Sequence, residues 1–196
     1  MSEIDIQRKV IRISMLGDAA VGKTSIINVF LGIEFSTTVL SNIGVEKQNK
    51  KMKMKDGNEM KIIIWDTAGQ ERFHSIATST IKNSQGIALC FDVTNKTSFD
   101  SLTIWLKDIR EVNENIPIIL FGNKCDLIEK RVIEDDEAEN FAKKYQMEYF
   151  ETSAKENINV EEGLKKIIEL AYEKSGGAGI GKHLENDKQN KKKSKC

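Results

Sequence analysis

The sequence has no long hydrophobic run. Its longest apolar stretches are "IIIW" at 62–65, "GIALCF" at 86–91 and "IPIILFG" at 116–122. Each is strand-sized, far short of the roughly 20 residues that a membrane-spanning helix needs. The opening "MSEIDIQRKV" is charged and carries no apolar segment, so no secretory leader is expected. Excess charge is also missing. Thirty lysines and arginines balance thirty aspartates and glutamates, which removes bulk attraction to nucleic acid, and no nucleic-acid partner is expected. There are only three cysteines, Cys90, Cys125 and Cys196, spread too widely for a disulfide frame, so reduced thiols are expected. The "NKT" at 95–97 fits a glycosylation sequon but has no leader to support it. No internal repeat is visible.

What is present is an alternation. In 196 residues, 39% of them apolar, there is material for one folded core and a tail. Strands are predicted at 9–17, 61–66, 86–94, 116–124 and 147–153. Asp56-Gly57 signals a hairpin turn that makes 44–55 the antiparallel partner of 61–66. Helices are predicted at 22–31, 97–114, 135–146 and 158–174. In the second of these, Phe99, Leu102, Trp105, Leu106, Ile109 and Val112 recur at steps of three and four. Continuous apolar strands interleaved with helices imply an α/β fold in three layers, a mostly parallel sheet covered on both faces. The expected division is an N-terminal extension at 1–8, a domain at 9–174 and a flexible basic tail at 175–196. From Lys182 onward the tail holds six lysines against two acidic residues. "GGAGIG" at 176–181 imitates a dinucleotide fingerprint but follows a helix, not a strand.

Four short motifs carry the chemistry. "GDAAVGKT", Gly17 to Thr24, is a phosphate-binding loop between a strand and a helix. Its glycines let backbone N–H groups approach a polyphosphate at a helix N-terminus, Lys23 adds a point charge, and the Thr24 hydroxyl suits Mg²⁺. In "WDTAGQE", Asp66 ends a strand facing the same crevice, where its carboxylate can hold the metal. Gly69 offers an N–H to a γ-phosphate, and Gln70 can orient an attacking water. "NKCD" places Asp126 where a carboxylate can accept from the N1–H and exocyclic amine of guanine, a donor pair that adenine lacks. "ETSAK", 151–155, brings the Ala154 N–H toward the guanine O6.

The order and placement of these motifs over residues 17–155 resemble the Ras superfamily of small GTPases. "IGVEK", "KIIIWDTAGQERF" and "FDVTNKTSF" resemble its Rab branch, over about residues 9–174. The resemblance implies a P-loop GTPase domain with a six-stranded, mostly parallel sheet, one antiparallel edge strand and helices on both faces. Gly17, Asp18, Ala19, Ala20, Val21, Gly22, Lys23 and Thr24, with the adjoining Ser25, would wrap the phosphates. Phe35 would stack edgewise near the guanine. Asn123, Lys124, Asp126, the adjoining Leu127, Ser153, Ala154 and Lys155 would form the base pocket. Thr24, Asn42 and Asp66 would hold Mg²⁺. Lys23 and Gln70 would be catalytic in slow hydrolysis of GTP to GDP, stimulated by an activating protein. An exchange factor, effectors, a monomeric state and peripheral attachment to the cytosolic face of an intracellular membrane are implied as well.

The sequence departs from the family pattern at four places. Asn42 stands where the first switch normally has threonine, and neither Thr37 nor Thr38 is in register to replace it. An asparagine carbonyl can ligate a hard cation, but the side chain is longer and carries an extra amine. This opens a second expectation, a catalytically weak module that holds guanine nucleotide constitutively. The effector-facing aromatic triad expected near 47, 65 and 80 reads Lys47, Trp65 and Thr80. Ala19 replaces a glycine found in many Ras relatives. Cys196 is a single terminal cysteine where Rab proteins usually end in a pair, and its lipidation is expected beside the polybasic stretch. An ATP-dependent P-loop kinase is disfavoured by "NKCD" and by the absence of a lid-like arginine-rich insertion.

Overall fold

A computed structural model of the chain describes residues 10–36, 45–67 and 74–176. Asn42, Gly69, Gln70 and Cys196 lie outside the described residues, as do residues 1–8 and the tail beyond Gly176. The strands are β1 (Val10–Leu16), β2 (Val45–Lys53), β3 (Glu59–Thr67), β4 (Gly86–Asp92), β5 (Ile118–Asn123) and β6 (Glu148–Glu151). The helices are α1 (Lys23–Phe30), α2 (His74–Lys82), α3 (Lys96–Asp100), α4 (Leu102–Val112), α5 (Asp135–Lys144) and α6 (Val160–Lys174), with a 3-10 turn at Ile128–Lys130.

The six strands form one sheet in the order β2-β3-β1-β4-β5-β6. Only the β2–β3 pair is antiparallel, in register Val45 with Thr67 through Lys53 with Glu59. The other pairs are parallel. This is the sheet expected from the sequence. Every residue of β4 is buried, which is why its segment reads as a continuous apolar run and not as an alternation. One core layer joins Ile11, Ile13, Ile62 and Ile64 to Ile26, Ile27 and Phe30 of α1 and to Leu164, Ile167 and Ile168 of α6. The opposite layer joins Leu89, Phe91 and Leu120 to Leu102, Leu106 and Ile109 of α4 and to Ala138 and Ala142 of α5. Among the described residues, no helix is long and apolar enough to cross a membrane.

Two local features differ from the sequence expectation. Helix α2 is not expected, because "HSIATSTIK" is rich in serine and threonine, whose hydroxyls compete for backbone partners and whose branching restricts rotamers. Tertiary packing supplies what propensity lacks: Thr80 and Ile81 are buried, and Ile81 joins the core layer of Leu16, Leu89 and Leu106. The helix expected at 97–114 is two helices, α3 and α4, meeting at Ser101. The first starts at a side-chain cap, with Asn95 Oδ1 accepting the Thr97 and Ser98 N–H groups at 3.0 and 3.4 Å.

The site elements follow from this order. β1 lies between β3 and β4, so the chain diverges to opposite sides of the sheet there, and ligand crevices form outside strand C-termini at such a point. Gly17 follows β1, Asp66 lies at the end of β3, Asp92 ends β4, Asn123 ends β5, and Thr152 to Ala154 follow β6.

Candidate functional site

Two glycines shape the phosphate loop. Gly17 has φ 133°, and a Cβ there would lie 2.1 Å from the Cys90 carbonyl oxygen of β4. Gly22 has φ 98°, and a Cβ there would lie 2.2 Å from the Asn123 side-chain nitrogen. Neither position admits a side chain, so the loop presses against the neighbouring strands and leaves its concave side to a ligand. Ala20 takes a left-handed φ of 64° without that freedom. Gly22 caps α1 without a side-chain acceptor, and no acidic residue occupies the first turn, so the positive end of the helix faces the loop uncompensated.

Lys23 is buried, at 4% exposure, and donates to the carbonyls of Gly17 at 2.7 Å and Asp18 at 2.9 Å. The ammonium thus spans the loop from inside, where polyphosphate charge would be met. The Thr24 hydroxyl donates to Asp66 Oδ2 at 2.7 Å, and Asp66 is buried. Two of the three expected metal ligands therefore converge. Both offer hard oxygen, the donor chemistry that Mg²⁺ selects when phosphates and water complete its shell. The pair fits that ion.

The base side is built as a set of links. Asn123, 1% exposed, donates to the Val21 carbonyl at 2.9 Å and accepts from the Ala154 N–H at 3.2 Å. It ties the phosphate loop to the segment after β6, and the Ala154 N–H, expected to meet the base, is turned to Asn123 here. Lys124, in left-handed backbone at φ 69°, donates to the Ala20 carbonyl at 2.8 Å and pairs with Asp92 at 2.6 Å. Asp126 accepts from the Ser153 hydroxyl at 2.6 Å, and Ser153 Oγ in turn accepts the Glu156 N–H at 3.0 Å. The carboxylate is thereby oriented while its other oxygen remains available to a base. Leu127 donates its N–H to the Lys124 carbonyl at 3.0 Å, closing the turn. Ser25 is half-buried on α1, Phe35 is 37% exposed, and Lys155 pairs with Glu156 at 3.1 Å on the surface. Beneath the loop, burial pushes the Cys90 thiol up to about 12, so it stays protonated at neutral pH, as expected of an inert thiol.

Two residues of this network escaped the sequence reading. Asp92 holds the Thr94 N–H and hydroxyl on one oxygen, at 2.8 and 2.7 Å, and Lys124 on the other. The "DVT" at a strand end, with threonine two residues after aspartate, was a turn signal that could have marked it. Trp105 of α4 donates its indole N–H to Asp18 Oδ1 at 2.9 Å, which no local pattern announces. Hydrogen bonds to a charged group contribute about 1.5–3 kcal/mol, so Trp105→Phe is expected to loosen the loop and speed release of bound nucleotide by about tenfold or more. Release of a fluorescent nucleotide analogue measures this, and a rate unchanged within twofold would remove Trp105 from the loop's support.

Strand-end loops with a buried loop lysine, a threonine–aspartate pair and an oriented acid define a P-loop nucleotide-binding protein. The Ras family model matches residues 12–173. The chain is 41% identical over 165 residues to the Ras-related protein Rab-10 of Diplobatis ommata, covering 84% of this chain and 82% of that one. It is 36% identical over 171 residues to Rab-13 of Rattus norvegicus, covering 87% and 84%. It is 39% identical over 151 residues to Rab-8A of Bos taurus, covering 76% and 72%. The chain belongs to the Ras family and is a Rab-like small GTPase.

Proposed function

We propose that the protein is a GTP-binding switch that hydrolyses GTP to GDP and phosphate and regulates membrane trafficking. The observation that carries this reading is the cross-linked pocket. Asn123 and Lys124 bind the acid-bearing loop to the phosphate loop, so Asp126 and Lys23 are held as the two ends of one ligand site. Asp126 would read the guanine edge. Lys23, the first turn of α1 and the loop N–H groups would hold the phosphates. Thr24 and Asp66 would hold Mg²⁺, which when bound neutralises charge developing between the β- and γ-phosphates. Gln70 is assigned the orientation of the attacking water. Such hydrolysis is slow, and a partner's arginine typically adds ~10³–10⁵ in rate, so an activating protein is a required partner, beside an exchange factor and effectors.

The proposed organisation is a GTPase domain at 9–174, a short extension at 1–8 and a basic tail at 175–196, with the protein acting as a monomer on the cytosolic face of an intracellular membrane. Lipidation of Cys196 together with the tail lysines would provide the two signals that stable attachment needs. Mass spectrometry of protein from its native cell should find a lipid on Cys196, and an unmodified terminus would remove this part of the proposal.

Asn42 motivates the second reading, a constitutive nucleotide-holding module. With asparagine at the metal-facing switch position, closure around GTP is expected to be weaker by ~1 kcal/mol, about the net worth of one hydrogen bond. Purified protein should carry guanine nucleotide, release phosphate slowly in a single-turnover assay, and prefer GTP more strongly after Asn42→Thr. Bound ATP would overturn the guanine reading. Bound guanine nucleotide with no phosphate release would favour the constitutive module, and an unchanged Asn42→Thr variant would make the substitution neutral.

A further inference from the structure

The lysine-rich strand β2 and the turn after it are sorted by the sheet into two faces. Lys50 turns toward α1, its ammonium 4.0 Å from the centroid of the Phe30 ring, and Lys55, just past the strand, pairs with Glu169 of α6 at 2.6 Å. On the opposite face Lys47, Asn49, Lys51 and Lys53 are exposed, and they stand directly across from Trp65, Ile63, Lys61 and Glu59 of β3. Arg12 of β1 takes the register position beside Ile63 on the same face. Among the described residues, five cations thus share this face of the three strands with one carboxylate, Glu59, which lies 3.3 Å from Lys51. Lys51 and Lys61 face each other across the pair, a like-charge juxtaposition that costs stability in the free protein. Half-buried Ile63 and Trp65 form the apolar centre, with the Lys47 ammonium 5.8 Å from the Trp65 ring and the Trp65 indole N–H buried without a partner among the described residues. Thr80, the third position of the expected aromatic triad, is buried on α2.

Lysines on an edge strand commonly guard it against pairing with other chains. That role does not account for Lys61 and Arg12, which lie on β3 and β1, inside the sheet, where there is no edge to guard. An apolar centre ringed by uncompensated charge has the anatomy of a protein interface. Ile63 and Trp65 are half-buried within a strand and do not project as a lipid-inserting side chain would.

We propose that this face docks an acidic polypeptide segment, with carboxylates set against Lys47, Lys51, Lys53, Lys61 and Arg12 and an apolar side chain over Ile63 and Trp65. The inference rests on the switch reading only for the role of that partner, as an effector, and not for its chemistry. The test uses the full chain and a short fluorescein-labelled peptide alternating glutamate with valine, followed by anisotropy at low and physiological ionic strength. Saturable binding is expected, weakened at least about tenfold by K51E/K61E and unchanged by K191Q/K192Q/K193Q in the tail. A glutamine-for-glutamate peptide should not bind, and binding to phosphatidylserine vesicles should be unaffected by K51E/K61E. The single variant K61E, read alongside a thermal melt, should weaken binding in the same direction should the double variant be unstable. The proposal is overturned by absence of saturable binding, by binding indifferent to K51E/K61E and K61E, by loss only in the tail variant, or by vesicle binding that K51E/K61E abolishes. Bound guanine nucleotide is quantified in each sample, so its absence would sink the switch reading separately from the surface.

Discussion

Asp126→Ala is expected to lower the affinity for GDP by about 10²–10⁴-fold while leaving the weak binding of ATP unchanged. The carboxylate is the group assigned to guanine's paired donors, and each hydrogen bond to a charged group contributes about 1.5–3 kcal/mol. Two such bonds give roughly 3–6 kcal/mol, which is the stated range. The geometry supports the upper part of it. Ser153 fixes one carboxylate oxygen at 2.6 Å, so no ordering of the side chain remains to be done on binding. Displacement of a fluorescent GDP analogue measures the effect, with ATP titrated in parallel. A loss of less than threefold would mean that the base is read elsewhere.

Gly17→Ala should be among the most destabilising single substitutions available in this chain, by about 3 kcal/mol or more. For a domain of this size, that lowers the melting temperature by roughly 6–12 °C. The added Cβ would lie 2.1 Å from the Cys90 carbonyl oxygen and 3.0 Å from its carbon. Both atoms belong to the backbone of β4, which pairs with β1 on one side and β5 on the other, so the obstacle cannot rotate away as a side chain would. Gly57→Ala is the matched comparison. Its φ of 85° is also left-handed, but nothing lies within 4 Å of the position a methyl group would take, so only backbone strain of about 1 kcal/mol is expected. Equal melting temperatures for the two variants would show that strain alone, and not contact with β4, governs the loop. Gly17→Ala should also lose bound nucleotide, because the displaced strand end carries the carbonyl that Lys23 Nζ holds.

The strands were legible because their signal is short-range. A continuous apolar run such as 86–91 marks a strand buried on both faces, and Asp56-Gly57 sets the hairpin whatever surrounds it. The phosphate loop and the Asp126 loop were legible for a related reason: glycine spacing and strand-end position are local properties that the backbone must satisfy before any distant residue arrives. Helix α2 was not legible, since its serine- and threonine-rich segment is helical through the burial of Thr80 and Ile81 in the tertiary structure and not through its own propensity.

By itself, then, the sequence determined the strands and most of the helices, the antiparallel hairpin and the loops proposed to meet a phosphate and a base, because period and turn chemistry act over a few residues. Only the tertiary structure decided which groups touch across the sheet. Lys124 reaches a carbonyl 104 positions away, Trp105 reaches Asp18 across 87, and Lys50 and Lys51, adjacent in the chain, serve opposite faces. Those pairings depend on strand order and register, and these are settled by how whole apolar faces bury against each other, which no stretch of a few residues can specify.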